Sequence, residues 1–282
     1  MPILLVIAPL LAVLLYLLSW GAVARARRTD AAAAAPSPRA DIGSWLLLAG
    51  ILAHGVSLYL AMHGAGGLRF GFGPALSGTF LVGVVLLWLE GLSVRVEALR
   101  SVVIPIAAVT CLLPLVFPGV EMPADEMRPL LLPHLLVGTL AYGVLMLSAL
   151  HAALMTAAER SLHGHPVTAF SPFARWIERL PPLLVLERIL FRFIAIGFVL
   201  LLLTALSGVL FSEQVFGRPF RFDHKTLFSL IALGIFGVLL FGRVRWGWRG
   251  RTALRLTVSG FVVLLLAYVG SRFVLEVILG RG

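Results

Sequence analysis

The sequence predicts an all-α, polytopic transmembrane helix bundle of about eight spans, and three observations predict it. The composition is 60% hydrophobic and only 13% charged over 282 residues, with mean hydropathy +1.02, whereas an ordinary soluble domain carries about 25% charged residues. Apolar runs long enough to cross a bilayer, about 20 residues, recur along the whole chain. The basic residues collect between those runs, mostly in alternate connections.

In order, the expected spans are residues 3–22, 44–63, 76–94, 102–117, 131–157, 190–212, 226–242 and 254–278. The first resembles a signal peptide at Ala22-Val23-Ala24, but it lacks a charged leader and runs straight into Arg25, Arg27 and Arg28. It is read as a retained helix. The fourth is short and contains Pro105 and Pro114. Residues 29–40 form an Ala/Pro-rich linker. Residues 158–187 are broken by Pro166, Pro172, Pro181 and Pro182, with one amphipathic stretch at Phe173–Leu180 suited to an interface.

Charge sets the orientation. Of the 23 basic residues, 22 are Arg, and 16 fall in the connections after spans 1, 3, 5 and 7 or at their edges. Those connections are expected in the cytoplasm, which places both termini outside. The formal charge of +10 is therefore an orientation signal, and nucleic acid is excluded as a partner because no basic domain exists to hold it. The single cysteine, Cys111, rules out a disulfide framework, a CxxC redox motif, a Cys-based zinc site and a CxxCH haem attachment. No internal repeat and almost no intramembrane carboxylate are present, which disfavours a proton-driven transporter.

Histidine carries the remaining signal. His54 lies mid-span, and His134 and His224 begin spans 5 and 7 at the same outer level on different helices. His54 and His63 are nine residues apart, about 900° of helix rotation, and so face opposite ways. A lone intramembrane His is also a common neutral hydrogen-bonding residue between helices, a reading open for His54 and His151. The segment Val215–Lys225 is the oddest. It lies outside yet holds Arg218, Arg221 and Lys225 among Phe216, Phe220 and Phe222. One reading is an aromatic platform for a porphyrin with cations facing its propionates. The other is an interfacial loop whose Phe residues enter lipid and whose Arg residues meet headgroups.

At this segment the chain resembles the cytochrome c assembly membrane proteins, the CcsA/ResC/HemX group. Their pattern W-G-x-x-W-x-W-D-P-K-E reads here Phe216-Gly217-x-x-Phe220-x-Phe222-Asp223-His224-Lys225-Thr226. Gly247-Trp248-Arg249-Gly250 matches their G-W-R-G loop, and Gly260-Phe261 with Tyr268-x-Gly270 resembles their last helix. Upstream, His134 followed by Leu140-Ala141-Tyr142, and Leu186-Glu187 followed by Gly197-Phe198 and Ser207-Gly208, resemble the two preceding spans. The likeness is firm over residues 130–272. His54 also looks like a position kept in the YpjD-type branch.

The resemblance implies an inner-membrane protein that binds non-covalent, b-type haem and assists c-type cytochrome biogenesis. The domain division would then be 1–43, first helix and linker, and 44–282, the assembly-protein domain. His134 and His224 become candidate axial ligands, with His54 a further candidate. Phe216, Phe220 and Phe222 become porphyrin contacts, and Arg218, Arg221 and Lys225 propionate partners. Haem, other maturation proteins, apocytochrome c and the lipid bilayer are the implied partners. Each family Trp is replaced by Phe, the family Pro is His224, and the family's later histidines are missing, Phe241 standing at one such position. Synthase activity therefore does not carry over. A haem-free scaffold or regulator with the same fold is the alternative.

Overall fold

The computed structural model describes residues 2–29, 42–63, 67–94, 96–123, 128–162, 182–213 and 222–278. Among the described residues, eight helices are long and apolar enough to cross a membrane. They are α1 (Pro2–Thr29), α2 (Ile42–Met62), α3 (Phe72–Glu90), α4 (Glu97–Val116), α5 (Leu131–Leu162), α6 (Leu183–Leu210), α7 (His224–Trp246) and α8 (Gly250–Leu265). The all-α bundle of eight spans is thus observed. α8 continues through π-helical turns at Leu266–Gly270 and Phe273–Ile278.

Helix bounds differ from the sequence expectation where apolar counting misjudges polar helical turns. α4 begins at Glu97 and α6 at Leu183, so Arg100, Glu187 and Arg188 are helical residues and not loop. α3 starts at Phe72, with Pro74 in its first turn, where a missing N–H costs nothing. One addition was not legible: strands β1 (Gly67–Phe70) and β2 (Val120–Pro123) pair into a two-stranded sheet. Arg69 meets Glu121 across it at 2.6 Å. The pairing ties the α2–α3 connection to the α4–α5 connection, as threading back and forth through a bilayer requires.

The helices form two compact units. In the first, α1 packs on α2 and α4, and α3 on α2 and α4. Pro105 inside α4 deprives the Ser101 carbonyl of its usual helical donor, and Trp20 of α1 supplies one, Nε1 to Ser101 O at 3.3 Å. In the second unit α5 packs on α6 and α8, and α7 on the same two, so the helices close a ring in chain order.

Between lipid-solvated helices there is little hydrophobic gain, and association rests on close packing of small residues and on interhelical hydrogen bonds. The seam between α5 and α6 shows this. Gly197 of α6 receives Leu145 of α5, Gly138 of α5 receives Thr204 of α6, and Gly208 of α6 receives His134 of α5. Each step along α5 is matched by an equal step back along α6, which is one unbroken antiparallel register. Gly197 and Gly208, eleven residues apart, lie within about 20° of each other around the helix.

Candidate functional site

The α5–α6 register delivers His134 to the last turns of α6. Its ring is half-buried, lies 3.4 Å from the space a Cβ on Gly208 would take, and shares a 2.8 Å hydrogen bond between Nδ1 and Ser207 Oγ. The Ser207 hydroxyl has one proton, and it donates that proton to Thr204 O at 3.0 Å. With that proton on Thr204 O, His134 Nδ1 is placed to donate to Ser207 Oγ, the tautomer that leaves the ring's lone pair on Nε2. A serine thus holds the orientation of this imidazole.

His224 is the first residue of α7 and is exposed. Asp223 caps the helix, accepting from Thr226 N at 2.9 Å and Thr226 Oγ1 at 3.1 Å, as an N-cap carboxylate does. Phe222 beside it is 65% exposed, a large ring presented outward. Lys225 Nζ stands 5.8 Å from the centre of the Tyr268 ring on the π-helical part of α8, and the Arg272 guanidinium is at the same distance from that ring. Where α8 widens from α to π geometry, Tyr142 of α5 donates to Leu264 O at 2.7 Å.

His134 is therefore engaged by α6, and among the described residues no hydrogen bond joins it to His224. Nor does any group of three or more His, Cys, Asp or Glu converge among them. Phe216, Arg218, Phe220 and Arg221 lie outside the described residues, as do residues 30–40 of the linker and the amphipathic stretch near Trp176. Tyr142, Ser207, Tyr268 and Arg272 were not anticipated as neighbours of this region. Three of them stand in or beside the motifs quoted above, but their convergence is a matter of packing.

His54 sits in the first unit with no exposed surface. Its Nδ1 pairs with the Tyr16 hydroxyl at 3.0 Å and its Nε2 with Ser77 Oγ at 2.8 Å. A neutral imidazole has one donor and one acceptor nitrogen, and each here has a hydroxyl, so His54 ties α1, α2 and α3 together. His151 is likewise buried, with Nδ1 on its own helix at Leu147 O, 2.9 Å.

At the opposite end of α7 the G-W-R-G motif is a helix stop. Gly247 has φ +65°, open to glycine alone at little cost. Gly247 N donates to Arg243 O at 3.1 Å, the single bond of a left-handed helix cap, and Trp248 N donates to Gly242 O at 3.2 Å. The Trp248 ring fills the space over Gly242. Arg243 and Arg249 both reach Glu187 of α6, at 2.7 and 2.9 Å.

A family model described as "Cytochrome C assembly protein" matches residues 8–279, which reaches into every span. The chain belongs to the cytochrome c assembly protein family. It is similar to the inner membrane protein YpjD of Escherichia coli K12, 34% identical over 153 residues, which is 54% of this chain and 55% of that protein. It is similar to HemX of Brevibacillus brevis, 31% identical over 50% of each. It is also similar to the cytochrome c biogenesis protein CcsA of Trichormus variabilis, 32% identical over 42% of this chain and 30% of that one. The chain spans about half the length of the first two relatives and less of the third. Eight apolar helices and likeness to an inner membrane protein make this family member a multi-pass protein of the bacterial inner membrane.

Proposed function

We propose that the protein binds haem at the end of its second unit where α6 stops and α7 starts, and handles it in the assembly of c-type cytochromes. His134 and His224 are the candidate axial ligands. Phe216, Phe220 and Phe222 are the candidate porphyrin contacts, and Arg218, Arg221 and Lys225 the candidate propionate partners. The observation that carries the reading is the Thr204–Ser207–His134 chain of hydrogen bonds. Metal-binding histidines commonly give their second nitrogen to such a partner, which fixes the tautomer and leaves the lone pair on the ligating nitrogen. A porphyrin supplies four of the iron's ligands itself, so one or two imidazoles suffice, a donor set these residues can furnish. The names of the CcsA and HemX relatives and the family description support the task.

The test is a visible spectrum of the full-length protein in mild detergent, oxidised and reduced, after expression with ample haem. A Soret band that is lost in His134→Ala and weakened in His224→Ala is expected. Absence of the band in the unaltered protein would overturn the reading in favour of a haem-free scaffold. Persistence in the double variant would overturn the ligand pair and turn attention to His54.

A further inference from the structure

We infer that the second unit carries a separate binding site for the phosphate headgroup of an anionic phospholipid, between the first turns of α6 and the end of α7. A cavity of about 470 Å³ opens there, large enough for a headgroup of small-molecule size. Arg188 and Arg192 line it from α6, and Arg243 and Arg249 from α7 and the turn after it. Against these four guanidinium groups stands one carboxylate, Glu187, which holds Arg243 and Arg249 in place. Arg188 and Arg192 have no carboxylate partner among the described residues and are exposed. The site has an excess of planar donors that suit phosphate oxygens.

The positive-inside rule accounts for the side of the membrane on which these arginines lie, but not for their lining one cavity together. Arg188 and Arg192 stand one turn apart within the span Leu183–Leu210, and Phe191 lines the same cavity. From Arg192 an exposed apolar stripe continues down α6 through Ile196, Val199, Leu203 and Leu206, at helical spacing on one face. A soluble anion has no use for such a stripe, whereas an acyl chain hanging from a headgroup at Arg188 and Arg192 would lie along it. Basic pockets between spans at the membrane surface are suited to anionic lipid headgroups. The site is independent of haem and stands whether or not haem binds at the other end of the unit.

The full-length protein in detergent is titrated with dioleoyl-phosphatidylglycerol, dioleoyl-phosphatidylcholine or inorganic phosphate, reading bound lipid by native mass spectrometry and the unfolding midpoint. Phosphatidylglycerol is expected to bind and raise the midpoint, and the other two to do neither. R188Q/R192Q should bind it about 30-fold more weakly, a factor of about five for each basic residue removed from an anionic headgroup. R255Q, a basic change on α8 outside the cavity, should bind as the unaltered protein does. If the double variant aggregates, R192Q alone carries the test with its fivefold loss. Equal binding of phosphatidylcholine, equal weakening by R255Q, or the same midpoint shift from inorganic phosphate would each overturn the proposal.

Discussion

Substituting Gly197 with Ala tests the α5–α6 register that seats His134. A Cβ there would lie 2.5 Å from Leu145 Cδ2 and 2.6 Å from its Cγ, against an ordinary carbon separation of about 3.5–4.0 Å. Leu145 is fully buried and has nowhere to turn, so the helices must part or the side chain must leave its rotamer. Overpacking of this kind costs about 1–3 kcal/mol. Ala also gains about 1 kcal/mol over Gly in helix propensity, which obscures the cost in a single variant. Gly234 on α7 supplies the control, since a Cβ there meets nothing within 4 Å. Gly234→Ala gains the propensity without the clash, and the difference between the two variants isolates the overpacking term. Thermal unfolding in detergent should place Gly197→Ala below Gly234→Ala by at least about 2 °C, at about 2–4 °C for each kcal/mol. Equal midpoints would refute the close approach of α5 and α6, and with it the placement of His134 against Gly208.

Three further outcomes are expected. Ser207→Ala removes the acceptor for His134 Nδ1, and should weaken haem binding about 10–100-fold, measured by following the Soret band during haem titration. Tyr16→Phe leaves His54 Nδ1 without its hydroxyl inside the first unit, costing about 1–2 kcal/mol, seen as a lower unfolding midpoint with an unchanged haem spectrum. Trp20→Phe removes the donor for the Ser101 carbonyl opposite Pro105 at about 1 kcal/mol, and the same unfolding measurement checks it.

The spans were legible because a bilayer imposes a length and a composition on any helix that crosses it. The eight helices fall where apolar runs of that length fall, and the largest errors lie at residues 23–29, Glu97–Arg100 and Leu183–Arg188, where polar side chains occupy helical turns. The family was legible from Gly247-Trp248-Arg249-Gly250 and its companions. Their physical content is packing and turn geometry: a left-handed stop at Gly247, a ring seated on Gly242, and glycine hollows along α6.

His134 was legible as a candidate, but Ser207 as its partner was not. The two are 73 residues apart, and only the helix register brings them together. The sequence alone offered His54 two roles, and its neighbours Tyr16 and Ser77 on two other helices now account for both its nitrogens. Sequence by itself thus determined what each segment is, a span or a connection, because that depends on local composition against a lipid solvent. Only the tertiary structure decided what each polar side chain does, because inside a membrane a polar group must find its partner in another helix, and one helix's sequence does not say which face its neighbour will present.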